Sequence, residues 1–393
     1  MNIFMSNQDL FYNTIKKLYI NPEFKCKPRN LFIHEDIGFS GRIINPFDRL
    51  IFMPDRHWDI VYGIGEFLWY VTGSNSLEFI QYYAPSYNRF SDDGKTLYGA
   101  YGNRLFEYDN SNELNKESSI RSVIRKLKED PDSRQAIIVI GEQHDYNPQL
   151  VTKDRPCTMF VHFLIREKQL DCYVYMRSND ILWGAFNINV FEWTTLQMIV
   201  ANVLKVDMGL YQHHATSMHL YTNKDKRAEN ILSTTHYNIY DTFTLTQPKD
   251  NIGIDEFEHE INTFMINSYE FISEDIKEGH YPFFNKIIFD EDSILTDYFK
   301  AVYSYIEIMK ILNSNLSLPT KIYIIEATFN FALTYIYRID ILTAISELLF
   351  RKLREEISVY DEIAKLHNRL IDNIRNDIRL NDDTKSFITK GEL

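Results

Sequence analysis

The pattern of apolar and polar positions changes character near residue 245. Residues 8–20 repeat apolar positions at helical spacing, which predicts an amphipathic helix. Within 56–82, the run WDIVYGIGEFLWYV is apolar on nearly every face and predicts a helix buried in a core. Gly73-Ser74-Asn75 marks a turn or a cap after it. Residues 117–129 read as a charged amphipathic helix stopped by Pro131. A short apolar run at 136–140 predicts a strand. Residues 157–165 and 170–177 alternate and are rich in β-branched and aromatic side chains, so they read as two strands joined by a hairpin turn at Arg166-Glu167-Lys168-Gln169. A helical period returns over 189–206. Beyond 245 the segments 254–276, 292–312, 319–350 and 352–378 read as successive helices, with few glycines and no strand. Ser317 and Pro319 mark a helix start, and Pro248, Asp250, Asn251 and Gly253 place a boundary at 245–253. The expected organisation is an α/β (α+β) domain over 1–247, with a mixed sheet packed against helices, followed by an all-α region over 254–393.

A length of 393 residues suits two domains or one large one. Lys and Arg number 42 against 55 Asp and Glu, a net charge of −13, so direct nucleic-acid binding is not expected. The three cysteines, Cys26, Cys157 and Cys172, supply neither a disulfide framework nor closely spaced metal ligands. They suit a reducing cytoplasm and no bound metal. The N-terminus lacks the basic start and apolar run of a secretory signal. The most apolar stretch, 322–350, is interrupted by Glu326, Arg338, Asp340 and Glu347 and fails as a membrane span. The His213-His214 pair lacks the spacing of a helical metal site and reads as surface or strand end.

Polar groups crowd beside the apolar strands in PDSRQAIIVI (131–140), RPCTMFVHF (155–163), YMRSNDILWGAFNINVFEW (175–193) and MHLYTN (218–223). Arg134, Arg177 and Ser178 can chelate a phosphate, because guanidinium forks match oxyanions. Cys157 is either a packed thiol or, if a nearby arginine lowers its pKa, a nucleophile. Arg134 is either a surface pair or an anion ligand. Asn187 either caps the next helix or reads an amide-like base edge with its donor and acceptor.

Taken in order, Pro-Asp-Ser-Arg, Pro-Cys, Arg-Ser-x-Asp, Gly-x-Phe-Asn and His-x-Tyr resemble the thymidylate synthase and pyrimidine hydroxymethylase superfamily. Gly65-Glu66-Phe67-Leu68-Trp69-Tyr70 resembles its Glu-Leu-Leu-Trp-Phe helix, and Tyr98-Gly99-Ala100-Tyr101-Gly102 its Gly-Pro-Val-Tyr-Gly segment. The resemblance covers roughly residues 8–225. It implies a thymidylate-synthase-like fold for the first domain and a homodimer. It also implies a pyrimidine nucleoside monophosphate substrate and 5,10-methylenetetrahydrofolate as co-substrate. Cys157 falls on the nucleophile that adds to carbon 6 of a uracil ring. Glu66 falls on the carboxylate that manages protons near carbons 4 and 5, and Tyr101 on the tyrosine linked to loss of the carbon-5 proton. Asn187 falls on the base-reading asparagine, where cytosine-specific relatives tend to carry Asp. Arg177, Ser178 and Arg29 match phosphate ligands, and Arg134 an arginine that reaches the phosphate from the other subunit. His219 and Tyr221 match the pair on the sugar 3′-hydroxyl, and Asp180 the aspartate on the pterin ring. Tyr87 and Phe90 stand for two tryptophans lining the folate site.

Several positions depart from thymidylate synthase. Thr158 follows the nucleophile in place of His, Met176 replaces Gln before Arg-Ser, and Gln135 replaces the second Arg of Asp-Ser-Arg-Arg. The Gly184-Ala185-Phe186-Asn187 segment is one residue shorter than Gly-Leu-Pro-Phe-Asn. The family's closing C-terminal segment is not recognisable, and a helical region stands there instead. Cys-Thr and Met-Arg-Ser-Asn-Asp resemble viral deoxycytidylate hydroxymethylases, which pass the one-carbon unit to water. With Asn187, the expected reaction is dUMP to 5-hydroxymethyl-dUMP, as in phage DNA modification. The alternatives are thymidylate synthase, giving dTMP and dihydrofolate, and a non-catalytic nucleotide-binding homologue.

Overall fold

A computed structural model describes residues 2–53, 55–106, 117–222, 226–234, 253–274, 293, 295–357, 361–377, 380, 385 and 388. The boundary residues Pro248, Asp250 and Asn251 lie outside them. The chain divides into two compact units, one of residues 1–56 and 65–261, the other of 57–64 and 262–393.

The first unit is built on a mixed sheet. Its elements begin with β1 (Asn2–Phe4), α1 (Asn7–Ile20), β2 (Phe24–Cys26), β3 (Ile33–Ile43), α2 (Ile60–Val71), α3 (Leu77–Tyr83), α4 (Tyr101–Phe106) and α5 (Ser119–Glu129). They continue with β4 (Ile137–Val139), β5 (Thr158–Arg166), β6 (Gln169–Asp180), α6 (Val190–Leu204), β7 (Asp207–Tyr221) and α7 (Arg227–Thr234). The strand order is β1-β3-β7-β6-β5-β4, and β2 pairs with β3 beside β1. β6 and β7 run parallel, as do β1 and β3; the other neighbours are antiparallel.

Local chemistry explains the elements. Ser6 caps α1 by accepting the Asp9 N–H, and the helix buries Leu10, Phe11, Ile15 and Leu18. α6 is buried almost throughout, from Val190 to Val203, because apolar residues occupy every face. The β5–β6 turn is tight: Glu167 and Lys168 both take positive φ, 51° and 64°, the conformation that matches a two-residue hairpin to strand twist. The strands β3 and β7 were not predicted. Their sequences mix His, Gln, Ser and Gly with apolar residues, so alternation is blurred, yet they pair over ten register positions from Ile33↔Tyr221 to Ile43↔Tyr211. His213 is therefore not at a strand end or on the surface. It is fully buried mid-strand between Tyr211 and Asn179, and His214 is half-buried on the opposite face.

The second unit is helical. It contains α9 (Thr296–Leu312), α10 (Leu318–Tyr335), α11 (Ile339–Ile357) and α12 (Asp361–Asn376), and the division falls within α8 (Ile254–Ser273). The predicted single helix over 319–350 is broken at 336–338. Asp297 accepts the N–H groups of Tyr337 and Arg338 at 3.1 and 2.7 Å, and Arg338 pairs with buried Asp340 at 2.7 Å. These bonds satisfy backbone donors that would otherwise continue the helix ladder. Among the described residues no helix is long and apolar enough to cross a membrane.

Candidate active site

Cys157 immediately precedes β5, on a segment held by several groups. Tyr101, the first residue of α4, accepts the N–H of Cys157 at 3.1 Å and of Thr158 at 2.9 Å on one phenol oxygen. The Arg177 N–H donates to the Cys157 carbonyl at 2.9 Å. The Arg177 guanidinium donates to the carbonyls of Pro156 and Arg155, at 3.0 and 3.1 Å, and lies over the ring of Tyr146. Tyr146 in turn donates to the Pro156 carbonyl. The preceding loop hangs on Asp145, which is fully buried and accepts both arms of Arg104, at 2.6 and 2.8 Å, the Tyr98 hydroxyl and the Glu142 N–H. Arg155 ties that loop further through the carbonyls of Asp145 and Leu150. Gly102 is required where α4 meets the end of α2, since a Cβ there would lie 2.6 Å from the Ser74 carbonyl.

Burial pushes the Cys157 thiol up; Arg177 and Arg29 pull it down, and Asp154 opposes them. Burial wins, so the simple expectation that a nearby arginine yields a low-pKa thiol is not met in the free protein. The two arginines are present, but they offset desolvation only in part.

Glu66 lies on α2, 5% exposed. It accepts the Tyr87 hydroxyl at 2.6 Å and the Tyr70 hydroxyl at 3.1 Å on the same oxygen. The fold thus brings Tyr87 onto the carboxylate, a contact the sequence did not suggest. Phe90 packs edge-on against Tyr87, and Arg89 stacks over both Phe90 and the partly exposed Trp183.

The other candidates cluster on β6, β7 and the turn that follows β6. Ser178 and Asp180 continue β6 from Arg177, and Asp180 pairs in register with His219. The Asp180 carboxylate accepts the Leu182 N–H at 2.9 Å and so starts a π-helical turn over Ile181–Asn189. Asn187 is buried inside that turn, where its amide donates to the Trp183 carbonyl, rather than at the cap of α6. Asn7, at the start of α1, donates to the Phe186 carbonyl and fixes the turn. His219 and Tyr221 stand edge to face at 5.1 Å. Arg29 is exposed on a left-handed backbone (φ 50°), and its charge acts on both Cys157 and His219. Arg134 differs from these: it is exposed before β4, and among the described residues no bond or charge contact joins it to Cys157.

Two buried groups escaped the sequence reading. Tyr70 stands where the family helix pattern has Phe, and Glu192 is an acid inside the apolar helix α6. That single charge among apolar neighbours is the signal that could have found it. Among the described residues no group of three or more His, Cys, Asp or Glu is placed to hold a metal.

A cysteine at a strand start, braced by a tyrosine and an arginine, and a buried glutamate on α2 belong to the same mixed-sheet unit. A family model described as "Thymidylate synthase" matches residues 53–278, more than half the chain, and the chain belongs to the thymidylate synthase family. It is 34% identical over 198 residues to a deoxyuridylate hydroxymethyltransferase of Bacillus phage SP01, covering 49% of this chain and 52% of that one. It is 30% identical over 179 residues to a deoxyuridylate hydroxymethyltransferase of Pseudomonas phage M6, covering 45% and 49%. Identity to the thymidylate synthase of Buchnera aphidicola subsp. Schizaphis graminum (strain Sg) is 26% over 161 residues, covering 41% and 59%. The chain spans about half the length of the curated relatives it matches.

Proposed function

We propose that this protein transfers a one-carbon unit from methylenetetrahydrofolate to carbon 5 of dUMP, with water as final acceptor, giving 5-hydroxymethyl-dUMP. The observation that carries the reading is Cys157, held at the start of β5 by Tyr101 and Arg177 within the field of Arg29 and Arg177. The Cys157 thiolate would bond to carbon 6 and make carbon 5 nucleophilic. Carbon 5 would gain the one-carbon unit as that carbon's bonds to the folate nitrogens break, and would lose its proton. Water would then add to the exocyclic carbon as the carbon 6–sulfur bond breaks, returning the thiolate and the ring double bond. Glu66 and Tyr101 handle the protons, and Asn187 reads the uracil edge. Arg177, Ser178 and Arg29 would take the phosphate, and His219 with Tyr221 the sugar. The shelf of Tyr87 and Phe90, with Asp180, would hold the folate, which supplies the carbon. Support for water over hydride comes from the phage relatives and from Thr158 after the nucleophile.

The open face of the sheet supports a homodimer. Phe160, Tyr175 and His214 stack across β5, β6 and β7 with centroids 4.3 Å apart, and Ile137 and Val139 beside them are 43% and 56% exposed. An apolar sheet face of this kind calls for a covering layer. A second copy would also let Arg134 reach the neighbouring phosphate.

Incubation with dUMP and methylenetetrahydrofolate tests the reaction. A nucleotide heavier by CH₂O without dihydrofolate is expected. A gain of CH₂ with dihydrofolate would make it a thymidylate synthase, and turnover surviving Cys157→Ala would remove the nucleophile.

A further inference from the structure

Glu192, in the first turn of α6, is 1% exposed and has no role in the reaction above. Tyr70 and Asn189 approach its carboxyl group, but neither oxygen completes a hydrogen bond of normal geometry. Its other titratable neighbours are Glu66 on α2 and Tyr211 on β7. No cation is among them. Tyr70 is also the residue that donates to Glu66 at 3.1 Å, and its ring packs against Tyr101 and Trp193, at 5.0 and 6.1 Å. Two buried carboxyl groups therefore flank one phenol.

We propose that Glu192 is a positioning residue that keeps one proton behind Glu66, with Tyr70 as the bridge. Two acids in one dry compartment resist ionising together, because desolvation and mutual repulsion each oppose the second charge. Glu66 accepts two phenol O–H groups, which favours its charged form, whereas neither Glu192 oxygen receives a completed hydrogen bond. The proton therefore rests on Glu192; burial and the nearby Glu66 also hold its carboxyl well above the usual range. A Glu192 O–H turned toward the approaching Tyr70 oxygen leaves the Tyr70 O–H to donate to Glu66. No proton needs to move: the arrangement fixes the direction of the hydrogen bond that Glu66 receives. Burial, Glu192 and Glu66 together also keep the Tyr70 phenol protonated. The pair works with one proton and fails with two or none, so its titration appears as two macroscopic steps.

The proposal rests on the one-carbon transfer reading, so its test has a readout independent of turnover. Infrared difference spectra of the full chain should show a buried protonated carboxyl band that vanishes in Glu192→Gln. In Tyr70→Phe the band should persist at a shifted frequency. Absence of the band from the parent protein, or its persistence in Glu192→Gln, overturns the proposal whether or not nucleotide turns over. Where turnover is measured, Glu192→Gln should lose the basic limb of the kcat–pH profile with KM for the nucleotide changed less than about twofold. Tyr70→Phe should lower kcat on the order of tenfold, as outer partners of a functional group commonly do. An unchanged pH profile in Glu192→Gln would make Glu192 a packing residue only.

Discussion

Replacing Tyr101 by Phe removes one oxygen and two hydrogen bonds. That oxygen is the acceptor for the N–H groups of Cys157 and Thr158, at 3.1 and 2.9 Å. Thr158 is fully buried and Tyr101 is 8% exposed, so water cannot readily take the oxygen's place. A buried donor left unsatisfied costs about 1–3 kcal/mol. Counting the Thr158 donor in full and the half-buried Cys157 donor at the low end gives about 2–4 kcal/mol. At about 2–4 °C per kcal/mol for a unit of this size, the melting temperature should fall by roughly 4–16 °C. The ring remains, so its stacking on Trp193 is retained and cavity formation does not contribute. The reactive segment should also loosen. Alkylation of Cys157 by iodoacetamide, followed by peptide mass spectrometry, should change by more than twofold while Cys172, buried in β6, stays protected. A variant with the parent melting temperature and the parent alkylation rate would refute the view that Tyr101 braces the Cys157 peptide.

Four further outcomes are expected. Asp145→Ala should destabilise the protein by about 3–5 kcal/mol in urea unfolding, because it strands Arg104, whose side chain is only 12% exposed, without its carboxylate. Arg177→Gln should raise the Cys157 thiol further; since only the thiolate reacts, alkylation at fixed pH should slow, by about tenfold for each unit of rise, and recover at higher pH. Burial holds the His213 imidazole down at about 3, against 6.5 unfolded. The unfolded chain therefore binds the proton first, and stability present above pH 6.5 should drain as pH falls, by about 2 kcal/mol between pH 7 and 5; a flat urea midpoint over that range would contradict a buried neutral His213. Asn187→Asp should shift preference from dUMP toward dCMP in competition assays, and an unchanged ratio would place base reading elsewhere.

The family membership of the first unit was legible because its polar groups lie in short contiguous motifs. Pro-Cys, Arg-Ser-x-Asp and His-x-Tyr each lie at or beside the end of a strand, and strands put successive residues in predictable places. The hairpin of β5 and β6 was legible for the same reason: alternation survives along most of both strands. β3 and β7 were not, because Gly38, Gly41, Gln212 and His213 interrupt the alternation, and only pairing across 180 or so residues of sequence makes them strands. The break between α10 and α11 was hidden because its cause, Asp297, lies some 40 residues away.

The same distinction explains the site. Tyr70 and Glu192 are 122 residues apart; Tyr70 alone reads as an ordinary interior position of an apolar helix, and Glu192 stands out only as its helix's single charge. Only the packing of α2 beside the start of α6 makes them neighbours of one carboxylate. The motifs keep the candidate site residues of β5, β6 and β7 close together in sequence. Tyr70 and Glu192 are brought together only by the fold. A polar residue in an otherwise apolar helix is therefore the place to look for such pairings: burial there costs several kcal/mol unless something pairs with it, and the groups that approach Glu192 are Asn189 and Tyr70, the phenol that donates to Glu66.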